Sequence, residues 1–271
     1  MSDRDKPAFD ANAYWNKRYA TIDATKSGHI DLPVEYNAWL YRRKQDHFAK
    51  AVQCVGGSLH GNKLLEVASG SGAWLDFWRT QGVGDYLGID LSERAVEGLR
   101  KNHPALRFLQ RDLNDADLAA VVGGGYDCVA AIDVLYHVLD DARFRALIGE
   151  LSGVLKPGGW LVIHDQFLHG AAFDHGQYIR WRTLEDYQHA LTNAGFDIVY
   201  RRPTFFFMIQ SIDFSGRAAA LMRMLWERIS YPLIAHLPRV AGFIGYALDS
   251  AVCAILREGP SMEIMICRKR T

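Results

Sequence analysis

From Lys63 onward the chain alternates short β-rich runs with helical patterns. That alternation constrains the fold more than any other feature, because parallel strands need helical crossovers and the helices must cover both faces of the sheet they connect. Runs at 63–67, 85–90, 106–109, 126–132 and 160–164 read as strands in series. The helices between them carry their own punctuation. Ser92 is placed to cap one that runs to about Asn102 before Pro104, and Asp140 caps another that ends near Leu155 before Lys156-Pro157-Gly158-Gly159. Thr183, with Asp186 three residues on, opens a third that stops at Gly195, and residues 196–201 read as a sixth strand. Residues 261–269 (SMEIMICRK) alternate and read as a seventh. The fold class expected is therefore α/β, a doubly wound, mainly parallel seven-stranded sheet with helical additions at both ends.

The additions follow from what separates the strands. About fifty residues lie between the sixth and seventh runs, too many for a structureless loop in a compact domain. Residues 217–229 and 231–256 are helical in pattern. Residues 1–60 are mostly helical and rich in aromatics. The organisation expected is an N-terminal helical cap over 1–60, a sheet core over 61–209, a helical insertion over 210–260 serving as pocket wall or interface, and a final core strand over 261–271.

Composition narrows the function. In 271 residues, 31 basic and 31 acidic side chains cancel, so the bulk positive field that nucleic-acid binding uses is missing. The apolar stretch at 240–256 is broken by Asp249 and Ser250 and is shorter than the roughly 20 residues of a spanning helix. Four scattered cysteines without a CxxC pair and a charged N-terminus without an apolar core predict a cytoplasmic protein. The late apolar helices offer a homodimer contact.

Chemistry concentrates at the carboxyl ends of the strands, where an open parallel sheet binds its ligand. Leu64-Leu65-Glu66-Val67-Ala68-Ser69-Gly70-Ser71-Gly72-Ala73-Trp74 is an apolar strand, an acidic residue and a Gly-x-Gly turn opening a helix. A dinucleotide fingerprint would place a third glycine where Leu75 stands, and Glu66 would face a diphosphate with like charge, whereas it suits an ammonium. A nicotinamide-dependent oxidoreductase, which Asp90 alone would fit, is opposed on both counts.

This stretch resembles the first motif of the class I S-adenosylmethionine-dependent methyltransferases, with Glu66, Ser69, Gly70 and Gly72 in the turn and Ala68 in place of a frequent glycine. The resemblance extends over roughly residues 60–200. It implies that Asp90, ending YLGID, accepts from the ribose hydroxyls with Leu91 against the adenine, and that Asp112 lies near the adenine amino group with Leu113 beside it. Ala131-Ile132-Asp133-Val134-Leu135-Tyr136-His137-Val138 resembles the fourth-strand segment, and Leu155 to Ile163 the turn into the fifth strand. In such proteins N-terminal segments fold over the cofactor. Tyr14, Tyr36, Arg42 or Arg43 is then placed to hold the methionine carboxylate, since guanidinium matches carboxylate in a bidentate pair.

The acceptor expected is a hydroxyl of a small molecule or glycan, because an Asn/Asp-Pro-Pro-Tyr amine motif is replaced by Asp133-Val134-Leu135-Tyr136. Amine and carboxyl acceptors stay open, as does a catalytically silent binding protein. His137, one turn past the fourth strand, reads either as a general base or as a packing element. Asp133 and His164 are further catalytic candidates, and Asp133 with Asp165 could share a hard cation such as Mg²⁺ through oxygen ligands, ordinary loop roles being the alternative.

Overall fold

A computed structural model describes residues 9–20, 28–214 and 216–271. The charged N-terminus at 1–7 lies outside the described residues. Two helices, α1 (Ala11–Arg18) and α2 (Val34–Cys54), precede β1 (Lys63–Val67), α3 (Leu75–Thr80), β2 (Asp85–Asp90), α4 (Glu93–Asn102), β3 (Arg107–Gln110), α5 (Leu118–Val122), β4 (Tyr126–Ile132), α6 (Asp141–Val154) and β5 (Leu155–Asp165). Three short strands follow, β6 (Phe167–Leu168), β7 (Phe173–His175) and β8 (Ile179–Thr183), then α7 (Leu184–Asn193) and β9 (Phe196–Pro203). Helices α8 (Gly216–Leu225), α9 (Tyr231–His236) and α10 (Pro238–Ile255) lead to β10 (Glu263–Lys269). A π-helical segment, Trp226–Ser230, joins α8 to α9.

The caps form where their chemistry demands. Ser92 Oγ accepts from the Ala95 amide, Asp140 from Arg143, and Thr183 and Asp186 exchange bonds in a capping box. The strands pair in the order β3-β2-β1-β4-β5-β10-β9, parallel from β3 to β5, with β10 antiparallel to both neighbours. Chain order reverses between β1 and β4, which opens a crevice beyond their carboxyl ends.

Alternation along the strands builds two cores. Leu65, Val129, Leu161 and Ile163 face one way with Phe144 and Leu151 of α6, while Leu64, Cys128, Ala130 and Val162 face the other with Phe48 of α2 and Trp78 of α3. Helix α2 is thus a layer of the sheet domain as well as part of the N-terminal segment. A third cluster joins Tyr36 and Leu40 of α2 to Phe205, Met208, Ile234 and Ala241.

Two local expectations are corrected. Strand β5 starts at Leu155, opposite Tyr126, and Lys156 to Gly159 stand out as a bulge before pairing resumes at Cys128 and Trp160. The stretch after β5, unassigned by periodicity, forms the small sheet β6-β8-β7. Among the described residues no helix is long and apolar enough to cross a membrane.

Candidate active site

A cavity of about 600 Å³ occupies the crevice at the switch point. Its walls come from the turns after β1, β2, β3 and β4, and α1 covers it with Trp15, Arg18 and Tyr19. In the turn after β1, Ala68, Gly70 and Gly72 all have positive φ, of 60°, 54° and 81°. The bare Gly70 amide donates to Asp90 Oδ2 at 2.7 Å, and the Ser92 amide donates to Oδ1 at 2.9 Å. Burial pushes the Asp90 carboxyl up to about 6 despite these two bonds. A Cβ on Gly70 would lie 2.9 Å from the Tyr19 hydroxyl, whereas one on Gly72 would strike Leu99 and Leu75. Gly70, Ser69, Asp90, Leu91, Asp112 and Leu113 therefore line the cavity, and Gly72, which is not on its wall, seats the turn on α3 and α4.

Glu66, at the end of β1, is 2% exposed and also reaches the wall. Trp78 Nε1 donates to its Oε2 at 2.9 Å and the Tyr86 hydroxyl donates to the same atom at 2.6 Å. Burial raises this carboxyl to about 7, against the lowering effect of both donors.

At the end of β4, Asp133 takes a left-handed φ of 55°. Its amide donates to the His164 carbonyl at 3.0 Å, and its carboxylate is held by the Lys44 ammonium from α2 and by His164 Nδ1. Burial works to raise the Asp133 carboxyl, but Lys44 and His164 outweigh it and hold it well below the usual carboxylate range. His164 is buried behind the wall, with Nε2 unpartnered, and burial lowers its own pKa. It acts on Asp133 and does not line the cavity.

His137 sits in a 3₁₀ turn after β4, on the cavity wall. Its Nδ1 lies 2.7 Å from the Tyr178 carbonyl oxygen. A carbonyl only accepts, so Nδ1 carries the proton and Nε2 keeps a free lone pair. Burial pushes this imidazole down to about 4 and keeps it neutral at physiological pH.

Residues 36–201 match the family model described as "Methyltransferase domain". The chain belongs to this methyltransferase family. A ubiquinone biosynthesis O-methyltransferase of Bordetella avium is 30% identical over 112 residues, 41% of this chain and 45% of that protein. A phthiotriol/phenolphthiotriol dimycocerosates methyltransferase of Mycobacterium tuberculosis is 27% identical over 139 residues, 50% of this chain and 48% of that one. The chain thus spans about half the length of the curated relatives it matches. Among solved structures, an S-adenosylmethionine-dependent methyltransferase of Clostridium acetobutylicum superposes with a TM-score of 0.54 at 10% identity, covering 85% of this chain and 92% of that one. The cyclase SpnF also reaches 0.54, at 21% identity, covering 84% and 80%. At such identities the likeness is one of fold, and a cyclase on the same fold shows why the reaction has to be argued from the site.

Several expected site residues of this methyltransferase domain lie elsewhere. Arg43 is buried against α10, donating to the Asp249 carbonyl at 3.3 Å, and Arg42 stacks over Trp39 and Tyr246 on the outside. Tyr36 donates to the Met208 carbonyl, and Tyr14 stacks on Tyr178 and lies tilted against Phe9. None of the four lines the cavity; the helical phase of α1 and α2 turns Trp15, Arg18, Tyr19 and Lys44 inward instead. The two candidate cation ligands have other partners. Asp165 is spent on the Tyr187 hydroxyl and the Gln166 amide, Asp133 on Lys44 and His164, and no metal-binding cluster occurs among the described residues.

Lys44, like Arg18, is a site residue that the sequence reading missed. Its signal was present: it stands midway between Leu40 and Phe48 at i±4 spacing, a charge on the buried stripe of an amphipathic helix.

Proposed function

We propose that this protein transfers the methyl group of S-adenosylmethionine to a hydroxyl oxygen of a small, largely apolar acceptor. The observation that carries the reading is one continuous cavity. Its lining includes two buried carboxylates, Glu66 and Asp90, the His137 imidazole, whose Nδ1 is held by the Tyr178 carbonyl, and the apolar side chains of Leu40, Phe205, Ile209 and Met262.

The residues present fit the cofactor. A side chain at Gly70 would press on the Tyr19 hydroxyl, and Glu66 and Asp90 offer buried carboxylate acceptors for an ammonium and for ribose hydroxyls. Glu66 would take the ammonium, Asp90 the ribose hydroxyls, Asp112 the adenine amino group, and Leu91 and Leu113 the adenine faces. Arg18, which reaches the wall as Arg43 does not, is assigned to the methionine carboxylate. When bound, S-adenosylmethionine supplies a methyl group already activated on a sulfonium.

The chain's own contribution is alignment, exclusion of water and handling of one proton. The cover formed by Trp15 and Tyr19 excludes water. His137 Nε2 accepts the acceptor's proton while Tyr178 holds the tautomer. A base pushed down to about 4 suits an acidic hydroxyl, such as a phenol or enol, better than a sugar alcohol. The name of the O-methyltransferase relative supports oxygen as the acceptor atom.

The test is mass-spectrometric detection of methyl transfer to panels of phenols, sugars, amines and carboxylic acids. Methyl ethers of phenols are expected; methylation confined to nitrogen or carboxyl would overturn the reading.

A further inference from the structure

The buried residues of α10 lie on one stripe, Ala241, Gly242, Gly245, Asp249 and Cys253, turned toward α2. Gly242 lets Trp39 pack directly on the helix backbone. Asp249 accepts from the amides of Phe206, Phe207 and Met208, which fixes the loop that lends Phe205 and Ile209 to the cavity wall. The inner face of α10 is therefore fully used.

Its outer face is equally apolar and is open. Val240, Phe243, Ile244, Leu248 and Ile255 are exposed, Phe243 by 60% and Ile255 by 83%. The preceding helical elements add Leu221, Met224, Ile229 and Leu237, all about half exposed. A helix that is apolar all round belongs against another apolar phase. The surface is not electrically neutral, however. Residues 216–257 contain five arginines and no lysine, against Glu227 and the buried Asp249, a local excess of three positive charges in a chain whose total is zero. Arg239 precedes Phe243, and Arg217 precedes Leu221, at the i+4 spacing that sets them side by side. Arg42, stacked on Trp39 and Tyr246 and paired with Asp46, borders the flank from α2 without adding to its net charge.

We propose that helices α8–α10 dock this protein on the surface of an anionic lipid bilayer, their apolar face entering the headgroup boundary while the arginines meet lipid phosphates. A stripe of large apolar residues with arginines at its edges is the pattern of a helix lying in the membrane plane. A self-complementary dimer face would instead gather these like charges against one another. The third core cluster runs without interruption from Ile234 and Ala241 to Leu40 and Phe205 on the cavity wall, so docking would place the site beside the bilayer.

The experiment is co-sedimentation of the full chain with vesicles of phosphatidylcholine alone or of equal parts phosphatidylcholine and phosphatidylglycerol. Binding to the anionic vesicles is expected, weakened by salt and by roughly fivefold for each exposed arginine replaced. The double variant Leu248→Glu/Ile255→Glu should reduce binding at least about tenfold, through loss of two inserted side chains. Both side chains are exposed, so its circular dichroism and S-adenosylmethionine affinity should match the parent. Recovery of the parent protein in the supernatant with both vesicle types, or equal binding by the double variant, overturns the proposal. A parent dimer in sedimentation equilibrium that the double variant dissociates, without vesicle binding, assigns the face to a second copy and overturns it too.

Discussion

The Lys44 ammonium, from a helix that precedes the sheet, ion-pairs with the Asp133 carboxylate at the end of β4, 89 residues later. The pair ties α2 to the strand end on the cavity wall, and His164 closes it from β5.

Removing the cation should expose what it balances. Lys44→Met leaves a buried carboxylate short of its partner and should cost about 3 to 5 kcal/mol in urea denaturation. Adding Asp133→Asn should recover part of the loss, since both charges are then gone. The Asp133 pKa is depressed in the folded state, so its stabilisation is present above the unfolded value near 4 and is lost as pH falls below it. The stability gap between the parent and Lys44→Met should accordingly narrow as pH falls below about 4.

Glu66 has the opposite sign. Its folded pKa, about 7, lies above the unfolded value of 4.5, so folding loses free energy as pH rises between these values and changes no further above 7. Glu66→Gln should therefore gain stability relative to the parent on going from pH 5 to pH 8, by about 3 kcal/mol. An ammonium bound beside Glu66 favours its ionised form. Calorimetry in buffers of different ionisation heat should show proton release when S-adenosylmethionine binds near pH 6.5, much reduced in the Gln variant.

His137→Ala should lower turnover by roughly 10² to 10⁴ with little change in cofactor affinity, as loss of a base requires. The parent imidazole ionises only near 4, so kcat should show no acid limb from this residue between pH 6 and 7. Loss of cofactor binding with normal turnover at saturation would make His137 a wall.

Gly70→Ala places a methyl 2.9 Å from the Tyr19 hydroxyl at a φ of 54°. The left-handed backbone alone costs roughly 1 to 2 kcal/mol, and the displaced Tyr19 should weaken cofactor binding further. Tyr19→Phe should relieve the second effect and not the first. By the same reasoning Ala68→Gly, at a φ of 60°, should raise stability by about 1 kcal/mol in thermal melts.

Turnover should persist in excess chelator, because the oxygens of Asp133 and Asp165 already serve Lys44, His164, Tyr187 and the Gln166 amide. Loss of activity on chelation, restored by Mg²⁺, would reinstate the cation.

Strand runs, helix caps and the glycine turn were legible in the sequence, because each depends on residues a few positions apart. Alternation orients Leu64 and Leu65 to opposite cores, Ser92 caps the amide three residues on, and Glu66 and Asp90 stand at strand ends wherever those strands pair. Which cations and aromatics meet them was decided only in three dimensions. Arg43 and Lys44 are neighbours in sequence, yet about 100° of helical turn sends one to α10 and the other to Asp133. His164 and Asp133 are joined by strand pairing across 31 residues, and His137 owes its tautomer to a carbonyl 41 residues away in a stretch with no periodic signal. Local patterns set the backbone elements; the partners of buried charges depend on how those elements pack, because a charge removed from water is stabilised by whatever group the tertiary structure brings within a few ångströms.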